Sequence, residues 1–225
     1  MFEAKTIGTL ISVVMGWLLA QLSGLLKDYW IRLRARRCLL EELGELKSEL
    51  ARVALTYARL LQIHALQGIG NNVPLPVGNY IFKNFYKDAV IALNKKQRLS
   101  YQLIHAHVEQ INQGIEELRD VTKRIHDKER KSGRESIGKA DGEYWSQHVI
   151  AGFTNTLETL WHVRHHLAMP TGPVLDDLSD RHREYLQYLQ FVDDQIKELL
   201  GAAKSLKRED FEVKYRPEDF LKPFA

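Results

Sequence analysis

Glu158, His162 and His166 fall at four-residue steps, with His165 beside them, so a helix here would carry all three on one face. Two imidazoles one turn apart plus a carboxylate are ligands for a transition-metal ion. Bundle enzymes with two metals draw Glu-x-x-His motifs from paired helices, and this sequence has none. The three histidines also lie in the last turns of their helix, where positive charge suits the carbonyl ends. The expectation is therefore no cofactor and no bound metal, with Glu158, His162 and His166 as the residues that would ligate one.

A second set pairs arginine with histidine. Arg59 precedes His64, Arg98 precedes His105, and Arg119 precedes His126 with Asp120 beside the arginine. The stretch from Arg119 to His126 (RDVTKRIH) resembles the motif of HEPN-class helical ribonucleases, an Arg followed after four to six residues by a His. The resemblance covers this one motif. It implies Arg119 and His126 as a catalytic pair that meets a second copy at a dimer interface, with RNA as substrate. Read from the residues alone, the surrounding arginines and carboxylates describe a solvated helix face, and nucleic acid is not the expected partner. No phosphate loop, zinc-type Cys/His spacing or nucleophile elbow occurs, so the chain is read as non-enzymatic.

A third pattern bears on packing. Gly8, Ser12, Gly16, Ala20 and Gly24 place a small residue at every fourth position of an uncharged segment, 7–26, long enough to cross a bilayer as a helix. Leu10, Val14, Leu18, Leu22 and Leu26 form a large aliphatic ridge on another side. In lipid, close approach through small residues is the usual route to helix association, so the row predicts a self-associating transmembrane helix. No small-x-small cleavage site follows the apolar run, as a secretory leader would require.

The net charge of +3 hides a local asymmetry. Lys27, Arg32, Arg34, Arg36 and Arg37 follow the apolar run, answered nearby only by Asp28. The positive-inside rule then puts the rest of the chain in the cytoplasm, and these five side chains are expected to contact lipid head groups. Tyr29 and Trp30 stand where interfacial aromatics belong. The single cysteine, Cys38, rules out an intramolecular disulfide framework and fits a reducing cytosol.

The elements that must position these groups are all helical. No proline occurs before Pro74, so the membrane helix is expected to run unbroken to about Gln67. Apolar residues then recur at alternating four- and three-residue steps, Leu39, Leu43, Leu46, Leu50, Val53, Tyr57 and Leu60, ending at His64. Glycines and prolines over 68–78 break the helix, and an aromatic stretch over 80–86 reads as short turns covering a bundle end. Asn94 and Gln97 have capping-box spacing and open a helix to about Lys131 on Ile104, Val108, Ile111, Ile115, Leu118 and Ile125. Another runs from about Asp141 to before Pro170 on Val149, Phe153, Thr156, Leu160, Val163 and Leu167. The last begins with Asp176 and Asp177 and continues to about Lys207.

The fold class is thus all-α: one N-terminal transmembrane helix continuing into a cytoplasmic antiparallel bundle of about four long helices. The expected divisions are an extracytoplasmic N-terminus at 1–6, the span at 7–26, a basic juxtamembrane segment at 27–38, the bundle at 39–207 and an extended tail at 208–225. This predicts a single-pass bacterial inner-membrane protein that forms homo-oligomers. Its bundle or tail would bind a cytosolic partner, as in a membrane-perturbing toxin or phage-defence effector, or in a non-toxic scaffold.

Overall fold

The computed structural model describes residues 2–133, 136–173 and 180–203, with side chains described from Val13 to Ala202 within those ranges. All regular structure among them is helical: α1 (Phe2–Ala65), α2 (Tyr80–Ala89), a 3-10 turn (Val90–Ala92), α3 (Lys95–Ser132), α4 (Lys139–Ala168) and α5 (Asp180–Ala203). The all-α expectation holds. Asp176, Asp177 and the tail over 208–225 lie outside the described residues.

The seams read from sequence are the core. Leu39, Leu43, Leu46, Leu50, Val53, Tyr57 and Leu60 of α1 are buried against Ile104, Val108, Ile111, Ile115 and Leu118 of α3 and Val149, Phe153, Leu160 and Val163 of α4, in one cluster. Ala54, Ala58 and Leu61 are buried too, so α1 is covered on more than one flank, chiefly by α4 and by α2 and α5. Helices α3 and α4 are antiparallel. Trp145 Nε1 donates to Thr122 Oγ1 at 2.9 Å near one end, and His166 Nδ1 lies 2.9 Å from Ser100 Oγ near the other. The capping box forms as expected, and its side chains also latch the far end of α4. Asn94 Nδ2 donates to the Thr171 carbonyl at 2.8 Å and Gln97 Nε2 to that of Pro170 at 2.6 Å.

The connection from α1 to α3 differs from the expected cap over a bundle end. The chain turns at Gln67 (φ 57°), where Gly68 N–H donates to the Ile63 carbonyl at 2.9 Å. It then runs back along the side of α1. Asn112 of α3 clamps Val77 from both sides, accepting its N–H at 2.7 Å and donating to its carbonyl at 2.9 Å. Gly78 N–H donates to Glu49 at 2.8 Å, and Ile81 and Phe82 N–H donate to Glu42 at 2.7 and 2.9 Å. A backbone without its own ladder is satisfied by side chains of its neighbours. This strap takes the place of a descending helix, so α1 and α3 point the same way and α4 opposes both.

Among the described residues, no helix is long and apolar enough to cross a membrane. Within α1, the uncharged stretch whose side chains are described runs from Val13 to Leu26 and ends at Lys27 and Asp28. That is short of the roughly 20 apolar residues a span requires. The transmembrane helix expected over 7–26 is therefore not carried by the described side chains, and those of Gly8 and Ser12 lie outside them.

Candidate functional site

Two regions carry unusual chemistry: the free end of α1, and the polar junction of α3, α4 and α5.

Every described residue of α1 from Val13 to Arg34 is exposed, and Ala35 is the first that the bundle buries. Trp17, Leu18, Leu19, Leu22, Leu25 and Leu26 all stand more than two-fifths exposed on this bare stretch. Such a surface is far from what a solvated helix presents. Cβ atoms added at Gly16 or Gly24 would meet nothing within 4 Å, so packing among the described residues does not require glycine there. Ala20 lies on the same exposed run. Ser23 Oγ donates to the Ala20 carbonyl at 2.9 Å, which satisfies its hydroxyl within the helix.

Below this run, Tyr29 and Trp30 meet edge to face with centroids 6.3 Å apart. Lys27, Arg34, Arg36 and Arg37, with Trp30, Tyr101 and Pro170, line a groove of about 1010 Å³ where α1 passes the start of α3 and the end of α4. Arg32 is exposed beside them, and Arg37 Nε donates to Glu41 at 3.0 Å. The groove's lining mixes these basic side chains with apolar ones, Ile31, Leu33 and Leu40 among them.

The polar junction departs from the sequence expectation in one member. Glu158 and His162 do share a face of α4, but their third neighbour is His107 of α3. Ligand atoms of His107, Glu158 and His162 all lie within 4.8 Å of one another. The Tyr185 hydroxyl of α5 donates to Glu158 Oε1. Burial holds His162 well below the usual histidine range, at about 4, so it presents a neutral ring. His166 turns elsewhere. It is fully buried, lies 2.9 Å from Ser100 Oγ and packs on Tyr101, and burial lowers it to about 4. His165 stacks on Trp161 with ring centroids 5.0 Å apart.

The three arginine–histidine pairs separate. His105 is buried, stacked on Phe82 at 3.8 Å and 3.6 Å from Glu42 Oε2, and burial depresses it to about 3. His64 packs near Trp145. Arg119 and His126 alone line one shallow groove, with Asn71 and Lys123, and each already meets a carboxylate on its own helix: Glu116 at 2.5 Å and Glu129 at 3.3 Å.

Neither His107 nor the Glu42–His105 contact was singled out from the sequence. His107 sits beside the α3 seam rather than on it, and nothing local ties it to α4. Glu42 reads as one of several flank carboxylates, since its burial depends on the strap. No protein-family model matches this chain, and no curated protein or solved structure matches it either.

Proposed function

We propose that this chain is a membrane-anchored helical protein that self-associates through the small-residue face of α1 and couples a cytoplasmic, partner-binding bundle to the bilayer. The observation that carries the reading is the free end of α1. The helical backbone runs unbroken from Phe2, so 7–26 is helical throughout, and its described apolar side chains from Val13 onward are all exposed. Twenty helical residues measure about 30 Å, the thickness of a bilayer's hydrocarbon core. Tyr29, Trp30 and the basic collar then fall at the head-group level, and the groove they border suits anionic lipid. Because α1 is also the most widely contacted helix of the bundle, a rearrangement there would tilt or rotate the spans directly. An effector that perturbs the bilayer on assembly would use that coupling, and a scaffold would need only the anchor.

The test is membrane flotation and carbonate extraction of the full chain, with disulfide-free chemical crosslinking in membranes of wild type and Gly16→Leu. The wild type should float, resist extraction and crosslink as a discrete oligomer, and Gly16→Leu should reduce that oligomer several-fold while still floating. A chain extracted by carbonate would overturn the anchor, and an oligomer unchanged by Gly16→Leu would overturn the packing face. A second reading, a tethered HEPN-like ribonuclease, has the shared groove of Arg119 and His126 in its favour. Under it, Arg119→Ala with His126→Ala, rather than Gly16→Leu, removes activity.

A further inference from the structure

His107, Glu158 and His162 bring two imidazole nitrogens and a carboxylate oxygen from two antiparallel helices to within 4.8 Å of one another. We propose that they form a binding site for a single borderline-soft divalent cation of the zinc class, which ties α3 to α4.

The donor set selects the ion. Imidazole with one carboxylate suits zinc and its first-row neighbours, whereas magnesium and calcium take oxygen ligands almost throughout. Around an ion with bonds near 2.0–2.1 Å, tetrahedral ligand atoms sit about 3.3 Å apart. The contraction needed is small, and it falls on the two less buried side chains. His107 and Glu158 are only partly buried, while His162 is buried and fixed between Trp161 and Tyr185, with ring centroids 5.3 and 5.2 Å away.

A further contact comes from α5. The Tyr185 hydroxyl donates to Glu158 Oε1, which orients the carboxylate and leaves Oε2 for the ion. Outer partners of this kind fix the geometry of ligating side chains and raise affinity. The His107 and His162 rings lie 5.5 Å apart at their centroids, so an ion between them replaces a ring–ring contact with two bonds. Three protein ligands leave a fourth position for water or an exogenous group. The site thus links α3 and α4 directly and α5 through Tyr185, and it is independent of whether α1 spans a membrane.

The full chain, stripped with chelator in detergent, is titrated with Co2+ and Zn2+, with Mg2+ as the control. Expected are intense visible d–d bands at one equivalent of Co2+, their displacement by Zn2+, and a rise in Tm of roughly 5–10 °C in excess Zn2+. His107→Ala and Glu158→Gln, both at partly exposed positions, should abolish the bands. Tyr185→Phe should weaken binding roughly tenfold, and His166→Ala should leave the bands in place. Bands that persist in His107→Ala and Glu158→Gln, or a wild-type chain with no stoichiometric Co2+ spectrum, would overturn the site.

Discussion

Single residues carry more of this architecture than their types suggest, and Glu42 is the clearest case. It belongs to α1, yet its carboxylate accepts the N–H groups of Ile81 and Phe82 in the first turn of α2, where the helix dipole favours negative charge. Burial raises its pKa and those two hydrogen bonds oppose the rise. His105 approaches the other flank of the carboxylate and is kept neutral by its own burial. Removing the carboxylate leaves two backbone donors unpaired and a gap beside His105. Glu42→Ala should therefore cost about 2–4 kcal/mol, while Glu42→Gln, which keeps one acceptor, should cost roughly half as much. Urea unfolding followed by circular dichroism measures both, and equal midpoints for Glu42→Ala and wild type would remove this cap from the account.

At the scale of elements, the contact between α1 and α4 depends on one missing side chain. A Cβ at Gly152 would clash with Cζ at the hydroxyl end of the Tyr57 ring, and Tyr57 is fully buried in the middle of the α1 seam. The two helices approach closely because glycine lets the ring lie across the α4 backbone. Gly152→Ala should raise helix propensity yet destabilise the fold by about 1–3 kcal/mol through overpacking. Tyr57→Leu in the same chain should restore part of that loss, because it removes the ring that the new methyl group meets. A thermal melt of the single and double variants tests this, and a more stable Gly152→Ala would show that the helices separate at no cost. The contrast with Gly16 and Gly24, whose added Cβ atoms would meet nothing within 4 Å, sets the glycines of the free end of α1 apart. They leave α1 with a narrow face that no other described residue packs against.

For the whole molecule, the buried histidines set the response to acid. His105, His162 and His166 are depressed to about 3, 4 and 4, chiefly by burial, against an ordinary value near 6.5. Each is neutral in the folded state and takes up a proton on unfolding below pH 6.5. Their stabilisation is thus complete above that value and is lost as pH falls toward 4. Glu42, with its raised pKa, acts in the opposite sense and offsets part of the loss. The net effect should be roughly 2–4 kcal/mol of stability lost per pH unit between pH 6 and 5. Urea midpoints of the detergent-solubilised chain at pH 7, 6 and 5 measure it, and midpoints that do not fall would mean that these rings are hydrated.

How much of this was legible in the sequence divides by range. The seams of α1, α3 and α4, the capping box at Asn94 and Gln97, and the break after Gln67 follow from spacing within a few residues. Periodicity and caps are local, and burial of an apolar stripe enforces them in any packing. The basic collar and the row from Gly8 to Gly24 were legible as patterns too, although a pattern on a bare helix says nothing of what lies against it.

The sequence by itself therefore determined the helices, their buried faces and the charge step after Leu26, because each is set by neighbours along the chain. Only the tertiary structure decided that the strap descends beside α1, that Glu42 caps α2, and that His107 rather than His166 joins Glu158 and His162. Those pairings join residues from different helices. The order in which helices cross a core, and the register at which they meet, depends on how all their side chains fill one shared volume.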